Sequence, residues 1–382
     1  MLNKHLISRL ERIDWDFAGA ASDSPFSALH WHPARLPSQV AATFIGLLSD
    51  PGDTVLDPFL GSGTTATESQ RLGRMALGFD LNPISCLISR AKTLPLRGRT
   101  IEDTCSRLKS LARGALDTDL LSGTTPMSIP PSVQKKWYSG RVLSNLSRLW
   151  ALLSELQSSE RLLAEMAFSA ILLPVCKETR HWGYVCDNST PRTEHEGDVL
   201  IEFCRILDRI SAAYKERDES SANLGIKTIC RSKIECTDSR AAVRKLPEGS
   251  VKLILTSPPY FGVSDYVKSQ RLSMEWFALD IEPLRLLEIG ARSKRHRHTS
   301  LQDYLDEMSQ LFAGARKALR KDGACVIVLG ESSRRTSYID DFNDTLARSG
   351  YRVSYKATRN ISPQRRQYAF IETETITIVT PR

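Results

Sequence analysis

Two hydrophobic rhythms divide the chain. Short, almost wholly apolar runs predict strands buried on both faces, and longer stretches with apolar positions three and four apart predict amphipathic helices. Val40 to Leu48 reads as a helix, and Asp50-Pro51-Gly52-Asp53 turns the chain into the strand Thr54-Val55-Leu56. A glycine-containing loop then leads into a helix over Ala66 to Leu72, closed by Gly73. A second strand, Met75 to Phe79, ends on Asp80, and a helix follows over Pro83 to Ala91. This is the opening βαβ of a parallel sheet. From about 123 to 225 the pattern is helical only, at Val142 to Leu156, Leu162 to Leu173 and Val199 to Tyr214. Strands resume at Ile226 to Glu235 and Val251 to Leu255. Ser300 with Asp303 predicts a capping box for a helix running to Leu319, with Gly323 after it. Ala324 to Leu329 is a further strand, and Tyr351 to Thr358 with Ile371 to Val379 alternate as an antiparallel pair. The expected fold class is α/β, in three parts. Residues 1–122 form the N-terminal half of a core, 123–225 a helical insertion, and 226–382 the C-terminal half.

Composition narrows the function without naming it. With 382 residues, 41% hydrophobic and 25% charged, the chain can bury a large core, and no apolar run reaches membrane-spanning length. Met1 to His5 lead into a mixed, charged stretch rather than a signal peptide, which predicts a cytoplasmic protein. The eight cysteines lack any Cys-x-x-Cys pair, which disfavours a zinc site or a disulfide framework and predicts reduced, mostly buried thiols. A net charge of +8 suits a polyanionic partner.

The chemistry begins at Asp57-Pro58-Phe59-Leu60-Gly61-Ser62-Gly63-Thr64-Thr65. Glycines between a strand and a helix let the backbone approach a ligand, and the helix N-terminus aims amides at it. A P-loop would need a lysine before the hydroxyl residue, and the dinucleotide fingerprint a third glycine; both are missing. A carboxylate at the strand end, Asp57, suits an ammonium better than a pyrophosphate. Asp80, ending the next strand, sits where an acid accepts hydrogen bonds from ribose hydroxyls. Together they describe S-adenosylmethionine; ordinary strand-end caps around a tight turn are the plain alternative.

A second loop, Thr256-Ser257-Pro258-Pro259-Tyr260, follows the apolar strand Val251 to Leu255. The exocyclic amine of a base is a weak nucleophile because its lone pair is delocalised into the ring. Two acceptors on the amino hydrogens, the Ser257 hydroxyl and the Pro258 carbonyl, favour a pyramidal nitrogen and aim its lone pair. Consecutive prolines fix the carbonyl, and Tyr260 offers a face on which a base swung out of its helix stacks. A rigid turn without chemistry is the alternative in an isolated loop.

The chain resembles the amino-group DNA methyltransferases. Asp57 to Thr65 is similar to their motif I, and Thr256 to Tyr260 to their motif IV. His32-Pro33-Ala34-Arg35-Leu36-Pro37 is similar to the segment before motif I that encloses the methionine end of the cofactor. The similarity covers roughly Leu29 to Asn82 and Lys227 to Thr380. It implies a Rossmann-like class I S-adenosylmethionine-dependent methyltransferase, with a seven-stranded, mostly parallel sheet and a terminal antiparallel hairpin, carrying the helical insertion. It also implies a cofactor set of His32, Asp57, Pro58, Phe59, Gly61, Ser62, Gly63, Thr64, Asp80 and Asp238, and a catalytic set of Ser257, Pro258, Pro259 and Tyr260, with no metal.

Serine before Pro-Pro resembles the branch that methylates N4 of cytosine, although serine can equally hold the N6 amine of adenine. Amino methylation of an RNA base, or a catalytically silent DNA-binding regulator with this fold, are the other readings. Ring-carbon methylation needs a thiolate, usually presented in a Pro-Cys pair, and the chain has no such dipeptide. The expected partner is double-stranded DNA with its target base flipped, and a cognate restriction endonuclease is a candidate companion. Two basic stretches are positioned to grip phosphates: Arg292, Lys294, Arg295 and Arg297, and the acid-free run from Tyr351 to Phe370 with Arg359, Arg365 and Arg366. Phe261, Tyr266 and Trp276 are candidates to shape a base pocket, although the spacing of Leu272, Trp276 and Leu279 suits helix core. The insertion brings His181-Trp182-Gly183-Tyr184 and Asp187-Asn188 as base-reading candidates.

Overall fold

The computed structural model describes residues 2–18, 23–33, 35–117, 136–178, 191, 195–294, 298–332, 338–361 and 371–382. Seven strands form one sheet: β1 (Thr54–Asp57), β2 (Met75–Asp80), β3 (Lys233–Cys236), β4 (Val251–Thr256), β5 (Leu319–Ser332), β6 (Tyr351–Asn360) and β7 (Ile371–Pro381). Their order is β3-β2-β1-β4-β5-β7-β6. β3, β2, β1, β4 and β5 pair in parallel, and β7 runs antiparallel between β5 and β6. This is a Rossmann-like, mostly parallel seven-stranded sheet with a terminal antiparallel hairpin, the architecture the resemblance implies.

The apolar strand runs are explained by helices on both faces. Val55, Leu253, Leu255, Val326 and Val328 point to one face, where Val40, Phe44 and Ile45 of the helix Ser38–Leu48 cover them. Leu56, Ile254, Cys325, Ile327 and Leu329 point to the other, under Leu311 and Phe312 of the helix Ser300–Ala318 and Phe342 of Ile339–Arg348. Strict alternation with both halves buried is what a doubly covered strand requires. Because β1 and β4 are neighbours, the loops that leave their C-terminal ends lie side by side, at the switch in strand order where ligands of open α/β sheets bind.

The helices Gly140–Glu155, Ser158–Ile171 and Val199–Asn223 share a core with Pro83–Lys92 and with Gly98–Leu116, whose apolar positions Ile101, Cys105, Leu108 and Ala112 lie along one face. The same core takes in Leu272, Met274 and Trp276, with the Trp276 ring edge-on to Phe168 at 5.1 Å. The helical body thus packs onto the segment that follows the second loop.

Three expectations are corrected. Only Lys233–Cys236 of the stretch from Ile226 to Glu235 is strand; the carbonyls of Lys227 and Cys230 are taken by Arg97 and Gln70 side chains instead of a ladder. At the helix Ser300–Ala318, Thr299 rather than Ser300 is the N-cap, and its hydroxyl donates to Asp303 at 2.9 Å. That helix stops at Ala318, since Leu319 already belongs to β5 and Gly323 lies within the strand. Among the described residues no helix is long and apolar enough to cross a membrane.

Candidate active site

β1 delivers the glycine loop. Gly61 and Gly63 have φ of +51° and +81°, values at which a side chain is strained. Room is short as well: a Cβ on Gly61 would meet the His32 ring at 3.1 Å, and one on Gly63 would meet Cβ of Ser89 at 2.9 Å. The loop is pinned by its own βαβ unit. Asp80 accepts from the Gly61 amide at 2.7 Å, Ser89 donates to the Gly61 carbonyl at 3.0 Å, and Lys92 donates to the Ser62 carbonyl at 3.1 Å. Gly63 caps the helix Thr64–Arg71 with no side-chain hydrogen bond, which leaves its first amides to a ligand or water.

β4 delivers the second loop beside it. The Thr256 hydroxyl donates to Asp57 at 2.7 Å, tying the ends of β1 and β4. Ser257 Oγ donates to Tyr260 Oη at 3.2 Å, and Tyr260 Oη donates to Glu374 at 2.7 Å. Tyr304 Oη donates to the Pro259 carbonyl at 3.0 Å, and the Tyr260 amide donates to Tyr266 Oη at 3.3 Å. Among the described residues no group donates to the Pro258 carbonyl or to Ser257 Oγ. Ser257 is half-buried and lines the cleft between the two loops, whereas Pro258 is buried and absent from that lining.

The two loops meet in one open cleft of about 760 Å³, its solvent mouth included. His32, Phe59, Gly61, Asp80 and Asp238 line it from the first loop's side, and Ser257 and Pro259 from the second. The lining fits S-adenosylmethionine. Asp80 is an acceptor for hydroxyls at the end of β2, Phe59 and Leu81 are apolar flanks, and His32 and Gly61 lie in close contact. Burial pushes the Asp80 carboxyl up to about 6 and the His32 imidazole down to about 3, so His32 is neutral. His32 hydrogen-bonds the Pro33 carbonyl at 2.8 Å and Ser85 Oγ at 3.1 Å. Partial burial of Asp238 opposes ionisation, but hydrogen bonds from the Arg240 side chain and amide hold its carboxyl below the usual range.

Other expected residues are placed differently. Asp57 is 4% exposed and does not line the cleft; it accepts from Thr256 and, at 3.0 Å, from the Phe59 amide, and burial pushes it up to about 6. It joins the two loops instead of facing an ammonium. Pro58, Ser62, Gly63 and Thr64 are likewise absent from the lining and form the supporting turn, with Ser239 Oγ donating to the Pro58 carbonyl. Tyr260 is 4% exposed, its phenol turned to Glu374, and it presents no open face to a base. Tyr266 does line the cleft, whereas Trp276 is helical core and Phe261 packs on Tyr304.

Of the basic residues, Arg292 is exposed just beyond the cleft-lining residues Leu287 to Ile289. Lys294 spends its ammonium on the carbonyls of Leu286 and Glu288, which straps that segment down. Arg359 is no surface residue: it is 2% exposed and paired with Glu374 at 2.8 Å. Arg295, Arg297, Arg365, Arg366, and the 181–188 candidates of the insertion lie outside the described residues.

Glu288 and Glu374 carry no motif and escape a reading of the sequence. Glu288 lines the cleft, accepts from the amides of Tyr266 and Val267, and is pushed up to about 7 by burial. Its only signal is an acid inside an otherwise apolar Leu-Leu-Glu-Ile run. Among the described residues no three His, Cys, Asp or Glu side chains are grouped to hold a metal ion.

Comparison with known proteins agrees with this geometry. Residues 12–90 match the N6/N4 methyltransferase family model, described as DNA methylase. The chain is 20% identical to the type II methyltransferase M.MjaII of Methanocaldococcus jannaschii over 84% of this chain and 76% of that one. It is 26% identical to the type II methyltransferase M.MvaI of Kocuria varians over 66% of this chain and 58% of that one. A third similarity, 27% over 25% of this chain and 24% of the other, is to the type II methyltransferase M.Cfr9I of Citrobacter freundii. Sheet order, the cleft shared by its two loops, and these matches make the chain similar to the amino-group methylases.

Proposed function

We propose that the protein methylates the exocyclic N4 of a cytosine swung out of double-stranded DNA. One observation carries the reading: Ser257 lines the same cleft as Asp80 and Gly61, with an Oγ that already donates inward and, among the described residues, accepts from no group. Bound S-adenosylmethionine supplies an electrophilic methyl group on a sulfonium. Ser257 Oγ and the Pro258 carbonyl accept the two hydrogens of the target amine, which localises its lone pair. Pro259, held by Tyr304, stiffens the loop so that this pair of acceptors is fixed before the base arrives. Tyr266 and Phe59 are the aromatic side chains that line the cleft and are available for stacking.

DNA as the substrate is supported by the family match over residues 12–90 and by the similarity to type II methyltransferases. Cytosine is supported by serine at 257, the residue the N4 branch carries before Pro-Pro. Arg292 at the rim, together with Arg295, Arg297, Arg365 and Arg366, supplies cations for the phosphates. A partner endonuclease would accompany such an enzyme in a restriction-modification pair. The test is transfer of a labelled methyl group to duplex DNA and to RNA offered separately. Label is expected in duplex DNA, while label confined to RNA, or none in either, would overturn the reading.

A further inference from the structure

The last two strands carry an ion pair where apolar side chains would be expected. Arg359 of β6 and Glu374 of β7 stand directly opposite each other across the antiparallel ladder. They are 2% and 7% exposed. Arg359 donates to Glu374 Oε2 at 2.8 Å, and its Nε donates to the Trp15 carbonyl at 3.1 Å. The second carboxylate oxygen, Oε1, accepts from Tyr260 Oη, which in turn accepts from Ser257 Oγ. A buried ion pair is weak evidence for stability, since apolar residues of equal volume often hold a fold as well. That leaves its connection to the cleft as the feature to explain.

The direction of this chain of hydrogen bonds is fixed by chemistry. A guanidinium only donates and a carboxylate only accepts, so Tyr260 must give its proton to Glu374. The phenol oxygen is then an acceptor, and the Ser257 proton turns inward to it. A serine hydroxyl by itself donates or accepts equally well. Here its proton is committed, and only lone pairs face the cleft. Burial and the neighbouring Glu374 charge hold the Tyr260 phenol well above its ordinary range, so the proton it donates stays on it.

We infer that Arg359 and Glu374 are positioning residues which, through Tyr260, set Ser257 as a pure hydrogen-bond acceptor and so select a base that presents an amine. The inference rests on the amino-methylation reading above and adds a basis for choosing substrates. An acceptor-only Ser257 welcomes the amino group of cytosine and repels the carbonyl that stands at the same place in thymine or uracil. Tyr260 acts through Ser257 and needs no contact with the base.

Tyr260→Phe is the decisive variant, because it keeps the ring and leaves the Arg359–Glu374 pair intact while cutting the link to Ser257. Steady-state methylation of duplex DNA should show kcat reduced about 10-fold, with KM for DNA and cofactor affinity within about 2-fold of wild type. The paired replacement Arg359→Met with Glu374→Leu should give a similar fall in kcat. Combined with Tyr260→Phe it should cost nothing further, since both cut one path. Wild-type kcat in Tyr260→Phe, with Ser257→Ala inactive, would overturn the positioning role and leave the amino-methylation reading standing. Full turnover in Ser257→Ala would overturn that reading itself. A fall in Tyr260→Phe that appears in KM or cofactor affinity rather than kcat would also refute the inference.

Discussion

The two loops that meet in the cleft are held in opposite ways. The glycines of the first loop are pinned from within their own βαβ unit, by Asp80, Ser89 and Lys92, all within about thirty residues along the chain, while Ser239 and Thr256 tie the loop's start from farther away. The catalytic loop is fixed from afar. Thr256 reaches Asp57 across 199 residues, Tyr260 reaches Glu374 across 114, and Tyr304 holds Pro259 across 45. With the roles proposed above, the glycines on the cofactor side depend mainly on near neighbours, and the amine acceptor Ser257 on contacts from distant strands. Changes within the first loop should act on cofactor affinity, and changes around the second on turnover.

The sharpest way to break this comparison is Ser257→Ala. Removing one of two amine acceptors should lower single-turnover rates about 100-fold. Cofactor affinity by calorimetry should stay unchanged, because nothing in the glycine loop leans on Ser257. Gly63→Ala probes the other side. It forces a side chain to φ +81° and against Ser89, a strain of about 1–2 kcal/mol. Cofactor affinity should weaken about 10-fold, with kcat at saturating cofactor nearly unchanged; an effect on kcat alone would erase the distinction between the loops.

Smaller effects sharpen the same contrast. Tyr304→Phe removes the hydrogen bond to the Pro259 carbonyl, a loss of about 1 kcal/mol, and should lower kcat several-fold without changing cofactor affinity. Glu288→Gln should act on stability through pH. Burial raises the folded carboxyl to about 7 against an ordinary 4.5, so its contribution is fully present below 4.5 and lost as pH rises through 7. The Gln variant should lose less stability than wild type between those values. The difference in melting temperature at pH 7 should be roughly 3–4 °C by scanning calorimetry. Identical slopes in the two proteins would show that Glu288 is solvated.

The strands β1, β2 and β4 were legible because each run is short, largely apolar and bounded by turn residues, and the two loops because each follows such a run directly. Gly98–Leu116 was legible in principle from Ile101, Cys105, Leu108 and Ala112, spaced four, three and four apart, but polar residues dilute that stripe. Arg359 was misread for a physical reason. It sits in an acid-free basic run, which looks like a phosphate grip until strand register sets it opposite Glu374. Asp57 and Tyr260 were correctly located in their loops but given outward roles, because sequence shows which residue ends a strand and not which way its side chain turns. The helix Thr64–Arg71 conceals a similar ambiguity: Gln70 is buried, and its polar ends are met by Thr93, Cys230 and Arg217 from distant segments.

The central claim is that an amine on a DNA base, and that of cytosine in particular, receives the methyl group. Duplex DNA lacking prior methylation, treated with purified protein and S-adenosylmethionine, then digested to nucleosides and read by mass spectrometry, tests it most directly. N4-methylcytosine is the expected product. N6-methyladenine would contradict the role given to serine at 257, and C5-methylcytosine or unmodified DNA would contradict the account of Ser257 and Pro258 as acceptors of an amine.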